Sequence, residues 1–204
     1  MTQIDFLSDD NHQILPIDEG ELLLISAAFS FEEATGLFVQ LRDQTTWAQD
    51  DICIAGRRVA IPRLQAWYGD NDAHYRYSGL SLQPLAWTPA LLKIKQTVEQ
   101  LTAATFNSVL LNLYRDGRDG MGWHSDDEPE LGQEPIIASL SIGAERDFVL
   151  CHKRDKANKI KLSLSNGSLL LMSGRLQHCW RHQVPKTRLP VGERINLTFR
   201  LIKL

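Results

Sequence analysis

The chain has 204 residues, 43% hydrophobic and 23% charged, with a formal net charge of −3 at pH 7. That length buries a full core in one domain with room for an added segment, and the composition excludes fibrous, disulfide-stapled and low-complexity classes. No apolar run reaches the length of a membrane span, and the first ten residues carry Asp5, Asp9 and Asp10 with no basic residue, so no membrane partner and no secretory leader are expected.

The expected compartment is therefore cytoplasmic, or nuclear in a eukaryote. Cys53, Cys151 and Cys179 are odd in number and lack paired metal-ligand spacing, which fits free thiols in a reducing compartment. Charge is unevenly placed. Residues 1–51 hold 11 Asp and Glu against one basic residue, Arg42, a balance of −10, and residues 52–204 hold 21 Lys and Arg against 14 Asp and Glu, a balance of +7. A basic body behind an acidic leader permits a phosphate-bearing partner that the net charge conceals.

Within the leader, Leu22-Leu23-Leu24-Ile25 predicts an early strand on the edge of the core. Ser30 stands three before Glu33, a capping-box spacing, and Phe31, Ala34, Leu37, Phe38 and Leu41 follow at helical period. They predict a packing helix. Residues 45–82 are rich in aromatic and basic side chains, and Tyr75-Arg76-Tyr77, if extended, sets both phenols on one side. Thr88-Pro89 opens a second helix with Thr as cap and Pro at the first helical position, and Leu91, Leu92, Ile94, Val98 and Leu101 give it an apolar face.

From Phe106 the period becomes that of strands, expected over 108–114, 121–125, 136–142, 148–151, 160–164, 168–172, 178–183 and 193–201. Gly-containing turns such as Asp116-Gly117 and Asn166-Gly167 lie between them. Short strands after two helices predict a mainly β protein with flanking helices (α+β), its core a double-sheet jelly roll, or double-stranded β-helix.

The chemistry concentrates in Trp123-His124-Ser125-Asp126-Asp127-Glu128. Extended, this stretch points His124 and Asp126 the same way. Two His and one carboxylate on one side of a metal suit Fe(II) in oxygenases. A second His comes from Gln177-His178-Cys179-Trp180-Arg181-His182, where spacing alone does not choose between His178 and His182. On the last strand Arg194, Asn196, Thr198 and Arg200 share one face, and Ile195, Leu197 and Phe199 share the other. Two inward arginines are costly unless an anion meets them, and guanidinium forks suit carboxylates. Asn112 and Tyr114 form another polar pair on an earlier strand.

Asn112-Leu113-Tyr114, His124-Ser125-Asp126-Asp127-Glu128, His182-Gln183-Val184-Pro185 and Arg194-Ile195-Asn196-Leu197-Thr198-Phe199-Arg200 resemble the signature of the AlkB family, Fe(II)/2-oxoglutarate dioxygenases that repair alkylated nucleic acid. The resemblance runs from about Ile54 to the C-terminus, is strongest to the animal-type demethylases, and does not extend to the acidic leader. It implies His124, Asp126 and His182 as iron ligands, which selects His182 over His178. It implies 2-oxoglutarate among Asn112, Tyr114, Arg194, Asn196, Thr198 and Arg200, with Arg194 on the distal carboxylate and Arg200 near the chelating end. Asp127 matches the residue that contacts the damaged base, Tyr75 and Tyr77 its aromatic walls, and Arg63 a position near the flipped nucleotide. Glu128 completes the substrate set. The expected organisation is an acidic segment with one packing helix over 1–51 and a dioxygenase domain over 52–204. In that domain, substrate recognition takes about 52–105 and the jelly roll about 106–204. A monomer using O2 as co-substrate is expected.

The implied substrates, 1-methyladenine and 3-methylcytosine in DNA or RNA, are cationic at neutral pH. Aromatic faces attract such a ring by ~0.5–2 kcal/mol, and the methyl lies on a pairing edge, so the base must be unpaired or extruded. Coupled decarboxylation of 2-oxoglutarate would give succinate and CO2, and the hydroxylated methyl would leave as formaldehyde. Relatives specialised for duplex DNA carry a large aromatic wedge in the loop that reads Ile54-Ala55-Gly56-Arg57-Arg58 here, with Ala55 at its place. A small residue there predicts a preference for single strands. Competing expectations are a related oxygenase acting on a small molecule or protein side chain, and a non-enzymatic jelly-roll binding module.

Overall fold

The first elements among the described residues are a hairpin, β1 (His12–Leu15) and β2 (Glu21–Ile25), followed by α1 (Phe31–Gln44). This computed structural model describes residues 11–203, except 55, 74, 78, 79 and 83 and the side chains of 52–54, 57, 75–77 and 80–82. Next come β3 (Asp51–Ile54), β4 (Arg57–Ala60), β5 (Leu64–Gly69), β6 (Tyr75–Tyr77), β7 (Leu80–Leu82) and α2 (Pro89–Thr102). The remaining elements are β8 (Ser108–Tyr114), β9 (Met121–His124), β10 (Ile137–Gly143), β11 (Arg146–His152), β12 (Lys159–Leu164), β13 (Ser168–Ser173), the short α3 (Leu176–Cys179), β14 (Trp180–Val184) and β15 (Arg194–Arg200).

Among the described residues, a seven-stranded sheet runs β1-β2-β13-β10-β15-β8-β5 and faces a four-stranded sheet, β12-β11-β14-β9. Neighbouring strands are antiparallel in both. This is the expected double-stranded β-helix. The central strands of the large sheet are buried on both sides: all seven residues of β15 are buried, with successive side chains pointing to opposite faces. Its outer face, with Val109, Leu111, Leu140, Leu197 and Phe199, packs in one cluster with Ala34 and Leu41 of α1 and Leu91, Ile94 and Val98 of α2. Between the sheets lies a second cluster, with Trp67, Tyr114, Leu170 and Met172 against Phe148, Leu150, Trp180 and Val184.

Both helix starts follow their sequence signals. Ser30 accepts from the Glu33 N–H at 3.2 Å while Glu33 accepts from the Ser30 N–H at 3.0 Å. Thr88 accepts from the Leu91 N–H at 3.2 Å. Gly167 has φ +84°, and a Cβ there would lie 2.3 Å from the Phe29 carbonyl oxygen, so only glycine lets α1's entry meet the β12–β13 turn.

Two expectations change. The strand expected over 178–183 starts only at Trp180, because the His178 and Cys179 N–H groups both turn back to the Arg175 carbonyl at 3.0 Å and close a short helical turn there. The short turn α3 buries Leu176 and Gln177 and turns His178 out to the Gln133 carbonyl. The leader's strand is also no fringe: β2 pairs with β13 from Leu169↔Ile25 to Ser173↔Glu21, and β1 lies outside it.

Candidate active site

The two histidines are brought together by strand register. His124 on β9 is the Cα partner of His182 on β14, and the irregularity between His182 and Val184 opens the pairing there. Asp126 follows β9 into the space between the sheets. One ligand atom each from His124, Asp126 and His182 lies within 4.8 Å of the others.

Hydrogen bonds orient His124 and Asp126, and a ring stack holds His182. His124 Nδ1–H donates to the Gly122 carbonyl at 2.8 Å, which leaves Nε2 with its lone pair for a metal. Asp126 is buried; its N–H donates to Gln177 Oε1 at 3.0 Å, and its Oδ1 accepts from Arg200 Nη2 at 2.9 Å. Burial pushes the Asp126 carboxyl up, but Arg200, His182 and His124 outweigh it and hold the group at about 2. His182 is pushed down to about 3, first by burial and then by His124, so its ring is neutral. Its ring stacks on Phe148 with centroids 5.1 Å apart. A charged carboxylate beside two imidazoles, with no fourth protein ligand grouped with them among the described residues, leaves positions open and fits Fe(II). His178 is no part of this group.

The cleft beside these residues is walled on the large sheet by Asn112, Tyr114, Asn196, Thr198 and Arg200. Asn196 donates to Ser139 Oγ at 2.8 Å and accepts from Thr198 Oγ1 at 3.0 Å, which fixes the polar row. Arg194 is 1% exposed. Its Nη2 donates to Ser141 Oγ at 2.8 Å and its Cζ lies 5.3 Å from the Tyr114 ring centroid. Nε and Nη1 have no hydrogen-bond partner among the described residues. Burial pushes this guanidinium down to about 10. A buried cation with two idle donors fits the distal carboxylate of 2-oxoglutarate.

The residues expected to meet substrate are less uniform. Arg63 is buried, its Nε donating to Asn112 Oδ1 at 2.8 Å, so it joins the polar row. Asp127 is exposed and pairs with Lys153 Nζ at 3.0 Å. Glu128 caps the turn Pro129–Leu131 with its backbone, and its Oε2 is buried without a hydrogen-bond partner among the described residues. The side chains of Tyr75 and Tyr77, and Ala55 of the wedge loop, lie outside the described residues.

Three side chains in the site's support escaped sequence reasoning. Gln177 braces Asp126, and Lys153 reaches both Asp127 and the Gln177 carbonyl. Arg146 is buried and donates to the carbonyls of Asp119 at 2.9 Å and Pro185 at 2.8 Å, while its Cζ lies 5.7 Å from the Tyr114 ring centroid. An inward Arg within Arg146-Asp147-Phe148, alternating with the buried Phe148, was the one available signal.

A family model described as the 2OG-Fe(II) oxygenase superfamily matches residues 21–200. The "Alpha-ketoglutarate-dependent dioxygenase alkB homolog 3" of Bos taurus is 40% identical over 201 residues, covering 92% of this chain and 68% of that protein. The human "DNA oxidative demethylase ALKBH2" is 40% identical over 186 residues, covering 86% and 71%. A solved structure titled "The structure of OsALKBH1" superposes with a TM-score of 0.63 at 16% identity, over 93% of this chain and all of that one, and so supports the fold. The similarity reaches well upstream of Ile54, contrary to the sequence expectation, and the reason is structural: β2 is an inner strand of the large sheet. With its two metal-site histidines on the small sheet of a jelly roll and Arg194 on the large one, the chain belongs to the AlkB family of 2-oxoglutarate- and Fe(II)-dependent dioxygenases.

Proposed function

We propose that this dioxygenase removes N-methyl groups from 1-methyladenine and 3-methylcytosine in DNA and RNA, releasing formaldehyde as 2-oxoglutarate becomes succinate and CO2. The observation that carries the reading is the His124-Asp126-His182 group beside a polar cleft, with the exposed Asp127 one residue on. The relatives named for DNA demethylation support the substrate class. Fe(II) held by these three residues would supply the activation of O2.

The chain's own residues do the rest. Arg194 would take the distal carboxylate of 2-oxoglutarate on Nε and Nη1, and Tyr114 and Asn112 would wall its stem. Arg200 holds Asp126 in its charged form, so that the carboxylate stays a metal ligand rather than a proton donor. Phe148 and Val184 line the cleft and keep water from its floor. The exposed Asp127, one residue from the metal group, would offer negative charge to the positively charged ring of a methylated base, and Tyr75 and Tyr77 are assigned to its faces.

The substrate side is assigned to about 52–105, and the compartment to cytoplasm, or nucleus in a eukaryote. Among the described residues no helix is long and apolar enough to cross a membrane. With Ala55 at the wedge position, single-stranded substrate is repaired faster than duplex, and Ala55→Phe narrows the gap. Formaldehyde release from one 1-methyladenine oligonucleotide, with and without its complement at fixed salt, tests both claims. No release from either form would overturn the function; equal release from both would overturn the strand preference.

A further inference from the structure

The ion pair between Lys153 and Asp127 is built differently from a typical surface pair. Lys161 and Asp147 also meet at 3.0 Å, with the lysine side chain 66% exposed. Such a pair adds little to stability and fixes neither partner. Lys153 is held at both ends. Its N–H donates to the Cys179 carbonyl at 2.7 Å. Its ammonium, on a side chain 33% exposed, donates to the Gln177 carbonyl at 2.8 Å and to Asp127 Oδ2 at 3.0 Å. Gln177 takes the Asp126 N–H on its own side chain. The carboxylate of Asp127 is thereby tied to the same turn of helix that braces the neighbouring metal ligand.

We infer that Lys153 is a positioning residue for base recognition: by occupying Asp127 Oδ2 it leaves Oδ1 to accept from a cationic N-methylated adenine or cytosine. The inference rests on the base-contacting role proposed for Asp127. A carboxylate free to rotate accepts from any donor nearby, including the amino group of an unmodified base. One held by an ammonium, itself anchored to a backbone carbonyl, presents a single oxygen in one direction. Lys153 then acts on selectivity and through Asp127. A lysine that contacted phosphate would act on all sequences alike.

The test uses binding without turnover. The full chain, loaded with Mn(II) and 2-oxoglutarate, is titrated by fluorescence anisotropy with a single-stranded oligonucleotide carrying one 1-methyladenine and with its unmodified twin. The readout is the ratio of the two Kd values. Lys153→Met should lower that ratio about tenfold, the equivalent of one charge-assisted hydrogen bond. In an Asp127→Asn background the ratio is already low, and Lys153→Met should change it by less than about twofold, because the two residues act as one. Lys153→Gln, read the same way, guards against a fault specific to Met, and an unchanged Tm shows that both variants fold. If Lys153→Met weakens both oligonucleotides equally, or acts as strongly with Asp127→Asn as without it, Lys153 is a phosphate contact and the inference falls alone. A wild-type ratio of one removes the role of Asp127 as well.

Discussion

The two ends of β15 carry the same side chain on the same face, yet they are finished differently. At one end Arg200 meets the Asp126 carboxylate at 2.9 Å, an anion supplied by the chain. At the other, Arg194 meets Ser141 and the face of Tyr114 and has no carboxylate paired with it among the described residues. The first end is stable whether or not a ligand is bound. The second lacks its anion until one arrives from solution. The same buried residue type is thus a structural pair at the metal end and a binding group at the cosubstrate end.

The finished end breaks most severely. Asp126→Ala should abolish Fe(II)-dependent CO2 release and also lower stability in urea by about 3–5 kcal/mol, because Arg200 stays buried without that carboxylate. A variant that loses activity at unchanged stability would show that the pair does not hold the fold. The open end should respond in the opposite sense. Arg194→Met should leave the ligand-free protein within about 1 kcal/mol of wild type, since it removes a buried charge that lacked an anion. Wild type should gain about 2.7 kcal/mol from 2-oxoglutarate at a hundred times its Kd, and Arg194→Met should gain almost none. Thermal unfolding with and without 2-oxoglutarate measures both, and an equal gain in the variant would put the dicarboxylate elsewhere.

Acid separates the ends again. Asp126 is held at about 2 in the folded protein, against about 3.9 in an unfolded chain. Its carboxylate therefore stabilises the fold above about pH 4, on the order of 2 kcal/mol, and the contribution fades as the pH falls to about 2. Stability measured against pH should lose that slope in Asp126→Asn. The smallest effect belongs to His178, exposed on α3. His178→Ala should leave iron binding and turnover within about twofold of wild type, whereas His182→Ala should lose both; equal losses would mean the wrong histidine has been chosen.

Much of this was legible along the chain, for a definite reason. In β15 the two-residue period separates Ile195, Leu197 and Phe199 from Arg194, Asn196, Thr198 and Arg200, and burial of both faces leaves the pattern intact. The short span from His124 to Asp126 was readable in the same way. What stayed hidden depends on contacts distant in sequence. Gln177 reaches Asp126 across 51 residues and Arg63 reaches Asn112 across 49, and no local period records such a meeting. His178 and His182 looked equivalent because the segment reads as one strand, and backbone bonds from His178 and Cys179 back to Arg175 divide it into a turn and a strand. The role of β2 was missed because an acidic neighbourhood disguised a strand whose Leu22 and Ile25 are almost wholly buried.

The place of β2 also bears on how far this polypeptide can be shortened. A chain beginning at residue 52 would lack β1 and β2 and would uncover the ladder edge of β13, where Leu169, Leu170 and Leu171 follow in succession. An uncovered, apolar strand edge is a template for pairing with another molecule. The hairpin therefore stands between that leucine-rich edge and solvent, with β1 as the outermost strand of the sheet.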